Sequence, residues 1–292
     1  MKKNIIKGSV FLILLVATIF ITFLIIPKTD SKEERTLGYR LKENSNLDVG
    51  VMGNSDLYAG FIPALFYKET GLTSYNSGKS KVNINQEYDY VSDYFKYQKD
   101  SKLMIFEVDC ISFRDHSNEK SRLEKIYKNH DFWRAEPASD IIENKGYVYS
   151  KSIRKCLNVD KKPKKKDLIK QKNLEIFEDI LNVCLDNSCD VLVIELPSLT
   201  SWSEARSVQV KEICDKYNIN FIDFNKYEGK EQVVEIDYDK DFRDGGNHLN
   251  ITGAKKITSY LSNYIVNNYD LTPNKINTKS FDLAYKRIER KL

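Results

Sequence analysis

The chain has 292 residues, of which 41% are hydrophobic and 30% are charged. This length and apolar content are enough for a substantial hydrophobic core, which excludes an intrinsically disordered protein. The 46 basic and 42 acidic residues are mixed along the sequence and leave a formal net charge of +4, so charge gives no reason to expect nucleic acid as a partner.

Residues 1–27 are predicted to form a short cytoplasmic tip and a transmembrane signal anchor. Three lysines precede an uncharged apolar run from Gly8 to Ile26, which is long enough to cross a bilayer. No A-x-A pattern follows the run, so an uncleaved anchor is favoured over a cleaved signal peptide. Because positive residues tend to stay in the cytoplasm, the chain is expected to be a single-pass protein of the cell membrane with everything after the anchor outside.

Residues 28–46 are polar and charged and are predicted to form an extracytoplasmic stalk. From residue 47 to residue 268 the sequence alternates between short apolar runs and longer amphipathic ones. Five strands are predicted, at residues 47–53, 72–78, 101–110, 189–197 and 219–224. Five helices are predicted, at residues 56–69, 83–98, 168–187, 203–217 and 252–267. This alternation predicts an α/β domain with a mostly parallel sheet covered on both faces, in which sites form at the carboxyl ends of the strands.

Two segments do not follow this alternation. Residues 111–166 are predicted to be an insertion with a few short helices that could cap the active face. Its lysine cluster, residues 161–166, is interpreted as a solvated approach to a helix, with contact to anionic wall polymer or lipid head groups as the alternative. Residues 269–292 form a C-terminal amphipathic tail, which we expect to dock on the domain through the apolar face that is formed by Phe281, Tyr285, Ile288 and Leu292.

The cysteines do not indicate a metal site. There are five of them, Cys110, Cys156, Cys184, Cys189 and Cys214, and no two have the spacing of metal ligands. Cys184 and Cys189 could form a disulfide in an exported domain, or all five could remain buried free thiols. No metal and no cofactor are predicted.

Ser55 is the first candidate catalytic residue, because it follows the first predicted strand after a short Gly-Asn turn. Its hydroxyl would emerge at the carboxyl end of the strand, and its own N–H would point into the site from the start of a helix. A helix N-cap is the structural alternative, since serine often occupies that position.

A serine nucleophile needs a base, and the chain has 3 histidines. His116 and His130 lie in the predicted insertion without a strand end beside them and are interpreted as exposed. His248 lies in a glycine-containing loop directly before the last helix of the domain. Either Asp241 or Asp244 could accept its Nδ1 proton and leave Nε2 facing the serine as a general base.

Three motifs in chain order carry a resemblance to a known family: GNSD after the first strand, YNSG after the second, and DGGNHLNITGA before the last helix. Together they resemble the SGNH hydrolase superfamily, also called GDSL-like esterases, and most of all its membrane-anchored members in Gram-positive bacteria. The resemblance covers about residues 47–267. It implies a flavodoxin-like α/β/α sandwich and a Ser-Asp-His triad acting on ester or amide carbonyls. At the matching positions, Ser55 is the nucleophile, His248 the base, and Gly78 an oxyanion donor beside the Ser55 amide.

The chain departs from the family pattern in two places. The family acid lies three residues before the histidine, where this chain has Gly245, so Asp244 is the predicted acid and Asp241 the reserve. The third block of the family supplies an asparagine to the oxyanion hole, whereas here the third strand runs into Glu107 and Asp109. Carboxylates repel an oxyanion, and the loss of one such donor costs about a hundredfold or more in rate.

These features predict an extracytoplasmic serine acyl esterase or O-acyltransferase. Acylated cell-wall or capsular glycans are the expected substrates, because the anchor holds the site at the cell envelope, and Trp133 and Trp202 are candidates for stacking on sugar rings. Acyl transfer would need a donor, so a multispanning acyltransferase is the expected partner in that version. The missing asparagine and the shifted aspartate support an alternative, a catalytically degenerate binding or assembly protein of the cell envelope.

Overall fold

The structure is a computed structural model that describes residues 2–25, 37–112, 139–156, 168–199, 201–274 and 278–292. The strands are β1 (Val49–Met52), β2 (Ser74–Asn76), β3 (Leu103–Glu107), β4 (Asp190–Glu195) and β5 (Asn220–Asp223). The helices are α1 (Lys2–Ile25), α2 (Ser55–Gly60), α3 (Pro63–Thr70), α4 (Ile84–Tyr97), α5 (Ser139–Glu143), α6 (Gln171–Asp186), α7 (Glu204–Lys216), α8 (Ile251–Asn268) and α9 (Thr278–Glu289). Short 3-10 helices occur at Gly38–Arg40, Lys42–Asn44 and Asp109–Ser112.

The five strands form one sheet in the order β2-β1-β3-β4-β5, and every neighbouring pair is parallel. This is the strand order of flavodoxin-like proteins, so the predicted fold class is confirmed. The order reverses between β1 and β3, and ligands bind in such sheets at the carboxyl ends of the strands beside this switch point. The loops that follow β1 and β3 are therefore the expected location of the site.

Two buried clusters lie on opposite faces of the sheet, which gives the three-layer sandwich. Side chains alternate along β3, so Phe106 packs on one face with Phe177 of α6. Ile105 points to the other face, where it shares a cluster with Ile257 and Leu261 of α8. The spacing of four residues places Ile257 and Leu261 on one side of α8, which explains why this helix covers the sheet.

The segment after Ser55 contains two helices, so the prediction of one helix over residues 56–69 is wrong. α2 ends at Gly60, and α3 begins at Pro63, which occupies the first helical position. Proline disfavours helical geometry in the residue before it, and Ile62 accordingly has extended backbone angles, φ −108° and ψ 94°. The break turns Phe61 into the core, where it is fully buried.

The predicted stalk is wrong where the structure describes it. Leu37, Tyr39 and Asn44 are buried, and the Tyr39 hydroxyl donates a hydrogen bond to Asp93 Oδ2 at 3.0 Å. Residues 37–46 thus belong to the globular domain. The two 3-10 helices of this segment are too short to produce a hydrophobic periodicity, which is why the polar composition was misleading. The rest of the predicted stalk lies outside the described residues.

The C-terminal tail docks on the domain as expected. Phe281, Ala284 and Ile288 of α9 are buried, and α9 packs against α3.

Near the N-terminus, the window Lys3–Phe20 of α1 is long and apolar enough to cross a membrane by length and composition.

Several predictions in the insertion fall on residues that are not described. His116, His130, Trp133 and the lysines of residues 161–166 lie outside the described residues. The five cysteines are all described, and each is a buried free thiol.

Candidate active site

Asn54 sets the position of Ser55 at the end of β1. The Asn54 side chain accepts a hydrogen bond from the Asp56 amide at 2.7 Å and is the N-cap of α2. Ser55 is therefore the first residue inside the helix and not its cap. The capping explanation for this serine is excluded, and its hydroxyl is available for another role.

The Ser55 hydroxyl meets His248. Ser55 Oγ and His248 Nε2 are 2.9 Å apart, and His248 Nδ1 contacts Asp244 Oδ2 on the other side of the ring. A carboxylate at Nδ1 favours the tautomer with a proton there, which leaves Nε2 as the acceptor for the serine proton. The structure thus brings together three of the residues that were predicted from the sequence for catalysis.

Asp244 is held in place by its own loop. Its Oδ1 accepts the amides of Asn247 at 3.1 Å and His248 at 2.9 Å. Burial alone would raise the pKa of the Asp244 carboxyl, but the hydrogen bonds and charge of His248 and the Asn247 amide lower it to about 2. The group is therefore ionised at neutral pH and can stabilise the imidazolium that forms when His248 takes a proton.

The reserve residue, Asp241, does not face the histidine. It is buried, accepts the Asp237 amide at 2.7 Å and pairs with Lys256 Nζ at 2.7 Å. The Asn250 amide donates to its backbone carbonyl at 2.8 Å. Asp241 thus anchors the start of α8, and Asp244 is the acid in contact with His248.

Gly78 packs closely against the serine turn. A Cβ at this position would lie 2.7 Å from both Asn54 O and Tyr58 N, so a side chain does not fit. Its N–H, the predicted oxyanion donor, already donates to Asn76 Oδ1 at 3.0 Å. The Ser55 N–H lies in the first turn of α2, where amides have no acceptor within the helix. The oxyanion role of Gly78 stays a prediction, and its amide would have to be shared.

The two acids that stand where the family has its asparagine support the serine turn. Glu107 accepts the Asn54 amide at 2.9 Å and the Asp109 amide at 3.1 Å. Asp109 accepts Asn54 Nδ2 at 2.8 Å and the Ser112 hydroxyl at 3.1 Å. Both carboxylates are fully buried. They therefore hold Asn54, and through it Ser55, without donating to the reaction centre.

Asp56 is a third acid in this place, and the sequence reasoning missed it. Its Oδ1 lies 3.5 Å from His248 Nε2, the same nitrogen that contacts the serine. Oxygens of Asp56, Glu107 and Asp109 all lie within 4.8 Å of one another. Three carboxylates this close could share a cation or a proton, although four of their oxygens already face protein donors. The position directly after the nucleophile was the signal that could have identified it.

Burial raises the pKa values of the acidic side chains in this region. Desolvation, with the charge of Asp109, raises the pKa of Glu107 to about 8, and the same two causes raise the pKa of Asp56. Burial raises the pKa of Asp109, while hydrogen bonds from Asn54 and Ser112 oppose the rise. Burial also raises the pKa values of Glu87 and Glu195, whose carboxyl oxygens have no hydrogen-bond partner among the described residues. Burial therefore favours the neutral form of these acids.

Two further side chains that were not predicted from the sequence lie near the site, one against the histidine and the other against that first side chain. The Tyr58 ring is stacked on the His248 ring, with centroids 6.0 Å apart and 11° between the planes. The Arg243 guanidinium lies 5.5 Å from the Tyr58 ring centroid and donates to Val148 O at 3.3 Å. Tyr58 comes three residues after Ser55, and that spacing on a helix places both residues on one face.

Trp202 is not available to a sugar. Its side chain is buried, and Nε1 donates to Asp223 Oδ2 at 3.2 Å. The prediction that it stacks on a ligand is wrong, and it is a core residue.

Comparison with known proteins gives weak similarities. The chain matches no family model, and no curated protein has a similar sequence at a significant level. Among solved structures, it is similar to a protein described as a lipolytic protein of the G-D-S-L family from Desulfitobacterium hafniense, with 14% identity, a TM-score of 0.41, and coverage of 75% of this chain and 99% of the other. It is also similar to a protein described as an acylhydrolase from Bacteroides fragilis, with 13% identity, a TM-score of 0.43, and coverage of 82% of this chain and 96% of the other. A third similar structure, described as a GDSL-like lipase from Bacteroides thetaiotaomicron, has 13% identity, a TM-score of 0.40, and coverage of 76% of this chain and 88% of the other. Identities and scores this low carry no conclusion about function, so the proposal below rests on the residues of the site.

Proposed function

We propose that this protein is an SGNH-type serine acyl esterase or O-acyltransferase with Ser55, His248 and Asp244 as its catalytic residues. One observation carries the proposal: Ser55 Oγ lies 2.9 Å from His248 Nε2, while an ionised carboxylate contacts Nδ1 of the same ring. This is the arrangement that a serine needs to become a nucleophile at neutral pH.

The reaction follows from these contacts. Ser55 Oγ attacks the acyl carbonyl as His248 Nε2 takes the hydroxyl proton, and Asp244 stabilises the resulting imidazolium. The Ser55 amide donates to the oxygen that becomes negative. When the tetrahedral intermediate collapses, His248 gives the proton to the leaving alcohol oxygen and an acyl-serine remains. Water or a sugar hydroxyl then loses a proton to His248 and takes the acyl group.

The substrate class and location are part of the same proposal. The apolar helix α1 is the anchor, with its N-terminus in the cytoplasm and the α/β domain outside, so the site faces polymers of the cell envelope. Acylated cell-wall or capsular glycans are the proposed substrates. If the acceptor is a sugar, a multispanning acyltransferase is the proposed partner, because a single helix offers no channel for an acyl donor.

One set of contacts favours a second candidate, a binding or assembly protein that has the fold without turnover. The Gly78 amide has an acceptor in Asn76, and the third-block position holds Asp109, which itself accepts from Asn54. The oxyanion hole is therefore poor in free donors. A site of this kind could bind a glycan without hydrolysing it.

Covalent labelling separates the two candidates. The full chain in detergent micelles is treated with a fluorophosphonate probe and with p-nitrophenyl acetate, beside Ser55→Ala, His248→Ala and a control, Ser152→Ala, at an exposed serine. We expect labelling and turnover in the wild type and the control and a loss of both in the two site variants. If the folded wild type neither labels nor turns over, the binding protein is the better description.

A further inference from the structure

The buried acids beside Ser55 raise the question of where their proton resides. Asp56, Glu107 and Asp109 bring three carboxyl groups within 4.8 Å of one another, and all three are buried. Like charges at this distance in a site with little water cannot all persist, so at least one group is neutral unless a cation is bound.

The hydrogen bonds identify the neutral group. Donors to a carboxylate favour its ionised form. Glu107 accepts two backbone amides, and Asp109 accepts an amide NH₂ and a hydroxyl. For the Asp56 carboxyl group, the recorded contact with a nitrogen among the described residues is the longer one between Oδ1 and His248 Nε2, at 3.5 Å. Asp56 is therefore the acid that its surroundings stabilise least as an anion, so it is protonated whether or not Glu107, whose pKa is raised to about 8, is neutral as well.

Asp56 is also the member of the cluster that reaches the reaction centre. It follows Ser55 in the first turn of α2, and its Oδ1 approaches the histidine nitrogen that receives the serine proton. Glu107 and Asp109 lie behind it and bond to Asn54. A hydrogen-bond donor on Asp56 would thus lie beside the atoms that react with the acyl group, in a hole that is otherwise short of donors.

We propose that Asp56 acts as a neutral carboxylic acid that donates a hydrogen bond to the oxyanion of the tetrahedral intermediate, taking over the task that an asparagine performs in related sites. The inference rests on the proposed function. The proton stays on Asp56 throughout, so no bond to it is broken and the step needs no co-reactant. Among buried acids, a neutral carboxyl group that donates to an oxyanion has a physical precedent in ketosteroid isomerase.

The charges around Asp56 agree with this assignment. Burial is the largest cause of its raised pKa, followed by the charges of Asp109, Glu107 and Asp244, while Arg243 opposes them. Glu195 of β4 interacts with the same cluster, and Glu87 of α4 interacts with Glu107. Arg243 is the cation that lowers the pKa of Asp56, whereas the acids around it are more numerous.

The decisive comparison is between Asp56→Asn and Asp56→Ala. Asparagine has the same shape and a permanent donor, so we expect Asp56→Asn to keep turnover of p-nitrophenyl acetate within about tenfold of wild type, whereas Asp56→Ala loses about a hundredfold or more. In the wild type, turnover should fall at high pH, because ionised Asp56 no longer donates and repels the oxyanion. Asp56→Asn should lack that decline. Asp109→Asn is the matched control: it replaces an acceptor that Asn54 uses, so it should lower both activity and melting temperature.

Each result decides the matter. If Asp56→Asn is as inactive as Asp56→Ala while both melt like the wild type, the donor role is wrong. If a chelator abolishes wild-type turnover and calcium or manganese restores it, the acids hold a cation and the proposal is overturned. Infrared difference spectra detect the proton without a measurement of activity. A component of the protonated-carboxyl absorption at neutral pH that is lost in Asp56→Asn, while the absorption of the other protonated acids stays, supports the assignment, and an unchanged absorption overturns it. If that component is present but the wild type neither turns over nor labels, the proposed function fails and the donor role fails with it, while the proton remains assigned to Asp56.

Discussion

Asn54 is the residue on which the geometry of the nucleophile depends, and Asn54→Ala tests this directly. The side chain caps α2 through the Asp56 amide and donates to buried Asp109. Loss of a cap costs about 1 kcal/mol, and leaving a buried polar group without a partner costs about 1–3 kcal/mol more. Because Asn54 is only 1% exposed, water cannot readily replace it. We expect the free energy of unfolding to fall by about 2–4 kcal/mol.

Urea unfolding of the full chain in detergent, followed by tryptophan fluorescence, measures this change as a shift of the midpoint. Asn54→Ser is the matched variant, since serine retains a capping oxygen but has no NH₂ group for Asp109. It should lie between wild type and Asn54→Ala, about 1 kcal/mol above the latter. A loss below about 0.5 kcal/mol in Asn54→Ala would refute the reasoning, because that is the range of ordinary surface substitutions.

The site leads to three further predictions. Asp244→Asn removes the acceptor that fixes the His248 tautomer and should lower kcat by about three to four orders of magnitude. Asp241→Asn should mainly lower the melting temperature, because it weakens the pairing of buried Asp241 with Lys256. Equal kinetic losses in the two variants would contradict the assignment of the acid. The pKa of Asp244 is lowered in the folded protein to about 2. Ionised Asp244 therefore stabilises the fold above the ordinary aspartate pKa, and this stabilisation is lost as the pH falls toward 2. The free energies of unfolding of wild type and Asp244→Asn, measured against pH, should converge there. Gly78→Ala places a Cβ 2.7 Å from Asn54 O and Tyr58 N and should reduce fluorophosphonate labelling at least tenfold by moving the serine turn; normal labelling would show that the turn can adjust.

The sheet could be predicted from the sequence because its strands are short apolar runs bounded by turn residues, and parallel strands are buried on both faces. The boundaries of the helices were harder to predict from the sequence. Proline is tolerated in the first turn of a helix and breaks a helix interior, so Pro63 indicates a new helix, but the buried irregular residues Phe61 and Ile62 before it have no periodic pattern that marks where α2 ends. Residues 37–46 were misjudged for a related reason, since irregular buried segments have no period.

The serine and histidine could be found from their positions relative to strands and helices, and Asp244 could be named as the candidate acid, but the contacts that select it could not be predicted. Asp244 lies four residues before His248 and Asp241 lies seven residues before it, and the choice between them depends on two backbone amides and one salt bridge. Those contacts are tertiary and leave no pattern in a single sequence. For the same reason, Glu107 and Asp109 could be identified as unusual without their role in holding Asn54 being apparent.

Asp56 was not predicted as a functional residue because an acidic residue at its position has an ordinary structural explanation. An acidic residue in the first turn of a helix is ordinarily explained by the helix dipole, which favours negative charge at that end. Here the same position is 8% exposed at the side chain, faces His248 and adjoins two other carboxyl groups. The dipole stabilises a carboxylate by at most about 2 kcal/mol, whereas a buried carboxyl group beside like charges can gain several pKa units, each worth 1.36 kcal/mol. Burial and repulsion therefore outweigh the dipole and favour the protonated form. A residue whose charge would disfavour the reaction becomes, without that charge, a donor at the position where the reaction needs one.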